Sequence, residues 1–282
     1  MKYLTARDLD DATRLREQTG YPALAGGTDL YPAIENGVAV AGVVDLSQVM
    51  ALRAPISRDT QGWTIPALTT WTAVLESELP SQFDALKQAA VEVGGRQIQN
   101  AGTVGGNLCN ASPAADGVTA LLALDAEVVL HGRSGARVVP VADFILGNRR
   151  TVLGRDEILT AVRVPELPGP SASIFRKLGA RRYLVISIVM AAVQIELDSR
   201  DRVRTARVSV GACADRSLRI EPVETALLGL PTVALSTFAI SDNAMASLKP
   251  IDDVRSSAEF RRHAAKALLE DTIRDIPRCL NA

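Results

Sequence analysis

The 282-residue chain has little of what most protein-borne chemistry uses: three cysteines, two histidines and an aromatic content of 4%. Cys109, Cys213 and Cys279 are too few and too scattered for a four-cysteine cluster or a zinc knuckle, and their odd number argues against a disulfide framework. An iron–sulfur centre held by this chain alone is therefore excluded. His131 and His263 lie far apart with no His-x-x-Glu-His-like spacing, so neither a metal triad nor a Ser/His/Asp apparatus has a sequence case. Both read as surface or packing residues. No catalytic residue and no metal ligand stands out.

Excess charge of either sign is missing too. The chain carries 31 basic and 32 acidic residues, and no Lys/Arg run is long enough to track a nucleic-acid backbone or an anionic membrane. The first eight residues lack an apolar core like that of a secretory signal, and no later stretch reaches transmembrane length without charges, so a cytoplasmic protein with no membrane span is expected. Neither Gly-x-Gly-x-x-Gly after a strand nor Gly-x-x-x-x-Gly-Lys-Ser/Thr occurs, which removes the Rossmann and P-loop readings.

What is present is length enough for two or three compact units and for an interior that buries a large ligand. Residues 1–55 read as a βαβ-like subdomain: a helix over 9–18, a strand over 21–25, a helix over 29–36 with Thr28 or Asp29 near its cap and Pro32 in its first turn, then a strand over 43–46. Residues 56–167 read as a second subdomain. Its strand covers 63–67, Thr70 caps a helix reaching 79, a further helix over 83–93 stops at Gly94-Gly95, and a helix over 114–124 follows Pro113. A hairpin over 127–139 and a strand over 158–164 complete it. Proline and glycine concentrate at 165–170, the composition of a connection, and place the main boundary there. Residues 171–282 then show strands over 173–178, 186–197 and 203–213, followed by helices over 222–228 and 258–276. Ser256 and Glu259 have capping-box spacing at the start of the last one. Strands first and helices after imply an α+β layer domain.

Two glycine-bearing segments hold the functional information: Ala25-Gly26-Gly27-Thr28-Asp29-Leu30, and Asn100-Ala101-Gly102-Thr103-Val104-Gly105-Gly106-Asn107, which runs on through Asn110 to Ala115-Asp116. Glycine lets backbone N–H groups approach an anion with no Cβ in the way, and each segment adds a hydroxyl, Thr28 or Thr103. They read as two turns forming a pair of nests for a diphosphate, or else as plain chain reversals. Asp116, in the first turn of a helix, tips the balance toward a site.

Taken in sequence order, these segments, with Gln97-Ile98-Gln99 ahead of the second, Asp143-Phe144-Ile145-Leu146-Gly147, Asp156-Glu157-Ile158-Leu159 and Phe175-Arg176-Lys177-Leu178, resemble the FAD-binding medium subunit of molybdenum hydroxylases. Parts of xanthine dehydrogenase and carbon monoxide dehydrogenase belong to that family, and the resemblance spans nearly the whole chain. It implies a PCMH-type FAD-binding fold of two α+β subdomains, followed by a smaller α+β domain of the carbon monoxide dehydrogenase flavoprotein C-terminal type. Gly26, Gly27, Thr28 and Asp29, flanked by Ala25 and Leu30, match the turn that holds the pyrophosphate. Thr103, Gly106 and Asn107, with Ala101, match the second turn at the same moiety and the neighbouring ribityl. Asp116 matches an acid that bonds a sugar hydroxyl, and Asn110 and Ala115 belong to the same cofactor-binding stretch. Ile158 and Leu159 match contacts near the adenine or the ring, and Lys177 matches a basic residue close to the isoalloxazine, where a cation stabilises the anionic reduced flavin.

The resemblance further implies an oxidoreductase that transfers electrons through FAD. Its partners would be a large subunit with a molybdenum-pterin cofactor, where substrate is oxidised, and a small subunit with [2Fe-2S] clusters, assembled as a dimer of heterotrimers. Two other readings remain open from the sequence: a self-sufficient PCMH-type flavoenzyme, such as an oxidase or an enolpyruvyl reductase, and a module binding another diphosphate nucleotide without redox function. The sequence departs from the family pattern at Gln99, where arginine is common, and at 183–187, which replaces an acidic run of the eukaryotic xanthine enzymes. Tyr183 lies over the flavin or packs a domain edge. Cys109 reads as packing.

Overall fold

The computed structural model describes residues 1–280. Its first sheet is parallel and small, with the order β1 (Lys2–Thr5), β3 (Gly42–Asp45), β2 (Ala23–Leu24). Helix α1 (Leu9–Thr19) links β1 to β2, and α2 (Leu30–Glu35) links β2 to β3. Local rules fix α1: the Asp8 carboxylate accepts from Asp11 N at 2.8 Å, and Gly20 ends the helix at φ 68°. β1 escapes the pattern reading because only Leu4 is even half-buried, and pairing with β3 alone makes it a strand.

The second sheet is antiparallel, in the order β4 (Ser57–Asp59), β5 (Gly62–Pro66), β10 (Ile158–Val164), β6 (Glu127–Gly132), β7 (Gly135–Pro140). Between β5 and β6 run α3 (Trp71–Glu76), α4 (Asp84–Glu92), α5 (Arg96–Ala101), α6 (Val104–Asn110) and α7 (Asp116–Ala123). After β7 come α8 (Val141–Phe144) and the short pair β8 (Ile145–Gly147) and β9 (Arg150–Thr151). Thr70 caps α3 as expected, its hydroxyl accepting from Ala73 N at 3.1 Å. Helices α5 and α6 have no counterpart in the sequence reading, since the glycines in and around them speak against helix.

The third sheet, also antiparallel, runs β11 (Ser171–Leu178), β12 (Val189–Leu197), β13 (Val203–Gly211), β14 (Leu218–Arg219). Helices α9 (Glu221–Leu227), α10 (Thr232–Leu235) and α11 (Ala258–Leu280) follow. The cap of α11 departs from the expected capping box. Ser257 rather than Ser256 supplies the oxygen, accepting from Phe260 N at 3.2 Å, while the Ser256 hydroxyl points to the Ser257 carbonyl. The helix also continues through Pro277 to Leu280, past the expected end at 276.

Strand β12 shows how the third sheet is anchored. All nine residues are buried because both faces are covered. Val189, Ala191, Val193, Ile195 and Leu197 share a core with Leu269, Ile273 and Ile276 of α11, whereas Met190 and Ala192 join Phe175 in the core of the N-terminal part. Hydrogen bonds supplement this seam: Ser173 Oγ donates to the Gln82 carbonyl at 2.8 Å, Phe175 N to Gln88 Oε1 at 2.7 Å, and Ser209 Oγ to the Thr119 carbonyl at 2.7 Å. Every residue of α7 is buried, since this helix lies under β12 and β13 on one side and against α4 and α6 on another. The N-terminus of α7 is thereby held at a junction of the molecule, and Asp116 is its first residue.

Candidate cofactor site

The first glycine segment leaves β2 and enters α2 with its backbone donors unspent. Among the described residues, no protein acceptor meets the N–H groups of Gly26, Gly27, Thr28, Asp29 or Leu30; the first bond of α2 is Tyr31 N to the Gly27 carbonyl. Gly27 sits at φ 70°, the left-handed region, with the Tyr31 ring against it. The Thr28 hydroxyl makes no hydrogen bond, and Asp29, at the N-cap position, makes no side-chain cap bond, so neither is consumed by local structure. Five successive N–H groups on a half-exposed loop are thus left without an internal acceptor.

The second glycine segment is a different object from the expected turn. Gly105 and Gly106 lie in the first turn of α6, and the protein itself takes up that helix's N-terminal donors. Val104 N bonds the Thr69 carbonyl at 2.9 Å, Gly105 N the Ala67 carbonyl at 2.9 Å, and Gly106 N the Thr103 hydroxyl at 3.0 Å. The expectation of a second nest is therefore corrected. Thr103 is a buried N-cap, and Gly105 is required for close packing, since a Cβ there would stand 2.8 Å from Ala67. Packing of this segment along residues 67–71 overrides the low helix propensity of glycine.

The fold brings the two glycine segments into contact. A Cβ on Gly26 would fall 1.9 Å from the Ala101 carbonyl oxygen at the end of α5, and one on Gly102 would fall 3.4 Å from Thr28 Oγ1. The two backbones touch, and only glycine permits it. Asn107 Oδ1 is buried without a partner, beside Gly117 of α7 and the Trp71 ring. Asn110, at the end of α6, accepts from Arg149 Nη1 at 2.5 Å. Ala115 is a buried N-cap with no side-chain bond to give.

Asp116 and Lys177 form a buried charged pair. Lys177 Nζ donates to Asp116 Oδ2 at 3.0 Å, and Ser187 Oγ donates to Oδ1 at 3.0 Å. Burial pushes the Asp116 carboxyl up to about 6, against the opposing pull of Lys177 and the two hydrogen bonds. Ser187 escaped the sequence reading: it lies 71 residues from Asp116 and no local signal joins them. Tyr183 is 58% exposed, with the Arg182 guanidinium 5.3 Å from its ring centroid, so it packs no domain edge. Gln99, where arginine is common in the family pattern, makes a neutral tie, Nε2 donating to the Val91 carbonyl at 2.9 Å.

Ile158 and Leu159, the first residues of β10, line a narrow apolar slot with Ala25, Gly106 and Cys109. The Cys109 thiol is pushed up to about 11 by burial, which suits packing rather than thiolate chemistry. Among the lining residues that were not anticipated is one charged side chain, Arg16 of α1. No group of three or more metal-ligating side chains occurs among the described residues, and no helix among them is long and apolar enough to cross a membrane.

Comparison with known proteins shows the family of the chain. Residues 1–167 match the family of the FAD-binding domain in molybdopterin dehydrogenase, and residues 174–276 match the carbon monoxide dehydrogenase flavoprotein C-terminal domain. The chain belongs to this family. Among its relatives is the putative xanthine dehydrogenase FAD-binding subunit of Escherichia coli K12, 30% identical over 275 residues that cover 96% of this chain and 94% of that one. The carbon monoxide dehydrogenase medium chain of Afipia carboxidovorans is 29% identical over 279 residues, covering 96% and 94%. In the solved structure of carbon monoxide dehydrogenase from Oligotropha carboxidovorans, one chain superposes with a TM-score of 0.90 at 26% identity, covering 99% of this chain and 98% of that one. This FAD-binding medium subunit is thus an oxidoreductase component of α+β fold, as the motifs implied.

Proposed function

We propose that the protein is the electron-transfer subunit of a molybdenum hydroxylase, working between a large molybdenum-pterin subunit, a small [2Fe-2S] subunit and a terminal acceptor. FAD, when bound, supplies the chemistry of accepting electrons singly and delivering them in pairs. The chain's own residues bind it, orient it and set its electrostatic surroundings.

The observation that carries the reading is the row of free N–H groups from Gly26 to Leu30, facing the second glycine segment at backbone contact. Such a row fits a pyrophosphate, because it supplies several successive backbone donors. The buried, unpartnered Asn107 Oδ1 fits a hydroxyl donor such as that of a ribityl chain. The Thr28 hydroxyl remains available to a phosphate oxygen, and the Asp29 carboxylate, which only accepts, to a sugar hydroxyl. Lys177 holds a positive charge beside the site, and Asp116, bonded to it, fixes the direction of the ammonium. Ile158 and Leu159 provide the apolar wall against which a flat heterocycle rests. Ala101, Thr103 and Gly106 shape the opposite wall through their backbone, and Leu30, Asn110 and Ala115 frame the ends.

The test is purification and reconstitution. The protein is expected to carry, or to regain on adding FAD, a yellow chromophore that releases FAD as identified by mass, and to co-purify with a molybdenum subunit and a two-cluster ferredoxin-like subunit as a dimer of heterotrimers in the cytoplasm. A colourless protein that takes up no FAD overturns the reading, and turnover of a substrate by the isolated chain overturns the division of labour.

A further inference from the structure

The slot beside the first glycine segment has one charged residue in its wall. Eleven of its twelve lining residues are glycine, alanine, leucine, isoleucine or cysteine, and the twelfth is Arg16. This guanidinium is held from one side only: Nη1 donates to the Glu157 carbonyl at 2.7 Å, and Nε is buried with no partner. The neighbouring Glu157 carboxylate is engaged by Arg137 and by Gly154 N, so it and Asp156 act on Arg16 only through their charge and form no ion pair with it. A half-buried cation with spare donors in an apolar wall costs stability unless something completes it, and desolvation accordingly pulls the Arg16 pKa down.

We propose that Arg16 is the residue that selects the adenine half of the flavin dinucleotide, its guanidinium giving the one polar contact in an otherwise apolar slot. The inference rests on the FAD reading above. A phosphate would need several donors and would suffer beside Leu46, Leu68, Leu153, Ile158 and Leu159. A neutral, flat heterocycle with acceptor nitrogens matches both features, taking the apolar walls on its faces and a guanidinium donor or the guanidinium plane at its edge or face. The slot also lies at the correct end of the site, because Ala25 and Gly106 line it and lead directly to the free N–H row that begins at Gly26. Helix α1 thereby reaches across from the first sheet to the start of β10 and contributes to binding a residue that no glycine motif contains.

The experiment compares flavin-free wild type, Arg16→Met and Arg16→Lys by titration with FAD and, separately, with FMN, which lacks the adenosine half. Thermal unfolding of the three flavin-free proteins runs beside it. Arg16→Met is expected to bind FAD about 10- to 100-fold more weakly, with FMN affinity unchanged within about twofold, and Arg16→Lys to fall between the two. The proposal is overturned if FAD affinity is unchanged in Arg16→Met. It is equally overturned if FAD and FMN affinities fall together, or if both variants lose flavin only in proportion to a lost fold, since Arg16 is then a structural tie between α1 and β10. Wild type that binds no FAD overturns the flavin reading itself, and this inference with it.

Discussion

Lys177 Nζ lies 3.0 Å from Asp116 Oδ2, with the two side chains 7% and 9% exposed, so a single buried ion pair joins β11 to the first residue of α7. The pair spans the seam between the N-terminal part and the third sheet. Its electrostatics and its structural role are therefore inseparable in the native protein, and substitution can tell them apart.

Removing one partner leaves the other charge buried and unpaired, which costs about 3–5 kcal/mol. Lys177→Met is expected to lower the unfolding free energy by that order, and the double variant Lys177→Met/Asp116→Asn to recover most of it. Urea unfolding of the flavin-free proteins checks this. A single-variant loss below about 1 kcal/mol would mean that water solvates the pair.

The raised Asp116 pKa gives the pair a pH signature. An unperturbed carboxyl titrates at 3.8 and the folded one at about 6, so between these values the native state binds a proton that the unfolded chain has released. Stability contributed by this group therefore falls as pH rises through that window and is level above it. The difference in unfolding free energy between wild type and Asp116→Asn should carry this slope from about pH 4 to about 6. A flat difference would place the folded pKa at its ordinary value.

Gly26 and Gly37 make a paired test of the site. A Cβ on Gly26 meets the Ala101 carbonyl, which is backbone and cannot swing away, so Gly26→Ala should push the two glycine segments apart and abolish FAD retention. Gly37, at φ 91°, has nothing within 4 Å. Gly37→Ala should cost about 1 kcal/mol of backbone strain and leave FAD retention intact. Flavin-to-protein absorbance ratios after gel filtration report both outcomes.

Thr28 and Thr103 look equivalent in the sequence and should behave oppositely. The Thr103 hydroxyl is committed to capping α6, so Thr103→Ala should lose about 1 kcal/mol of stability, largely restored by serine. The Thr28 hydroxyl has no internal partner, so Thr28→Ala should leave the melting temperature of the flavin-free protein unchanged while weakening FAD retention. Equal melting shifts for both variants would refute the distinction.

The sequence by itself determined the family, the α+β class and the residues most exposed to chemical constraint. It could do so because a glycine needed for backbone contact, as at Gly26, tolerates no substitute and leaves a fixed letter at a fixed spacing. It also determined α1, α3, the hairpin of β6 and β7, and the last helix, wherever caps and turns are local. Only the tertiary structure decided that Gly105 and Gly106 belong to a helix rather than a nest, because the packing of residues 103–106 against 67–69 outweighs the local preference of glycine. The same holds for Ser187 on Asp116, 71 residues apart, and for Arg16 in the slot beside Ile158. Those contacts depend on how separate sheets and helices meet, and a buried charge or hydroxyl acquires its partner from the assembled fold, not from its neighbours in the chain.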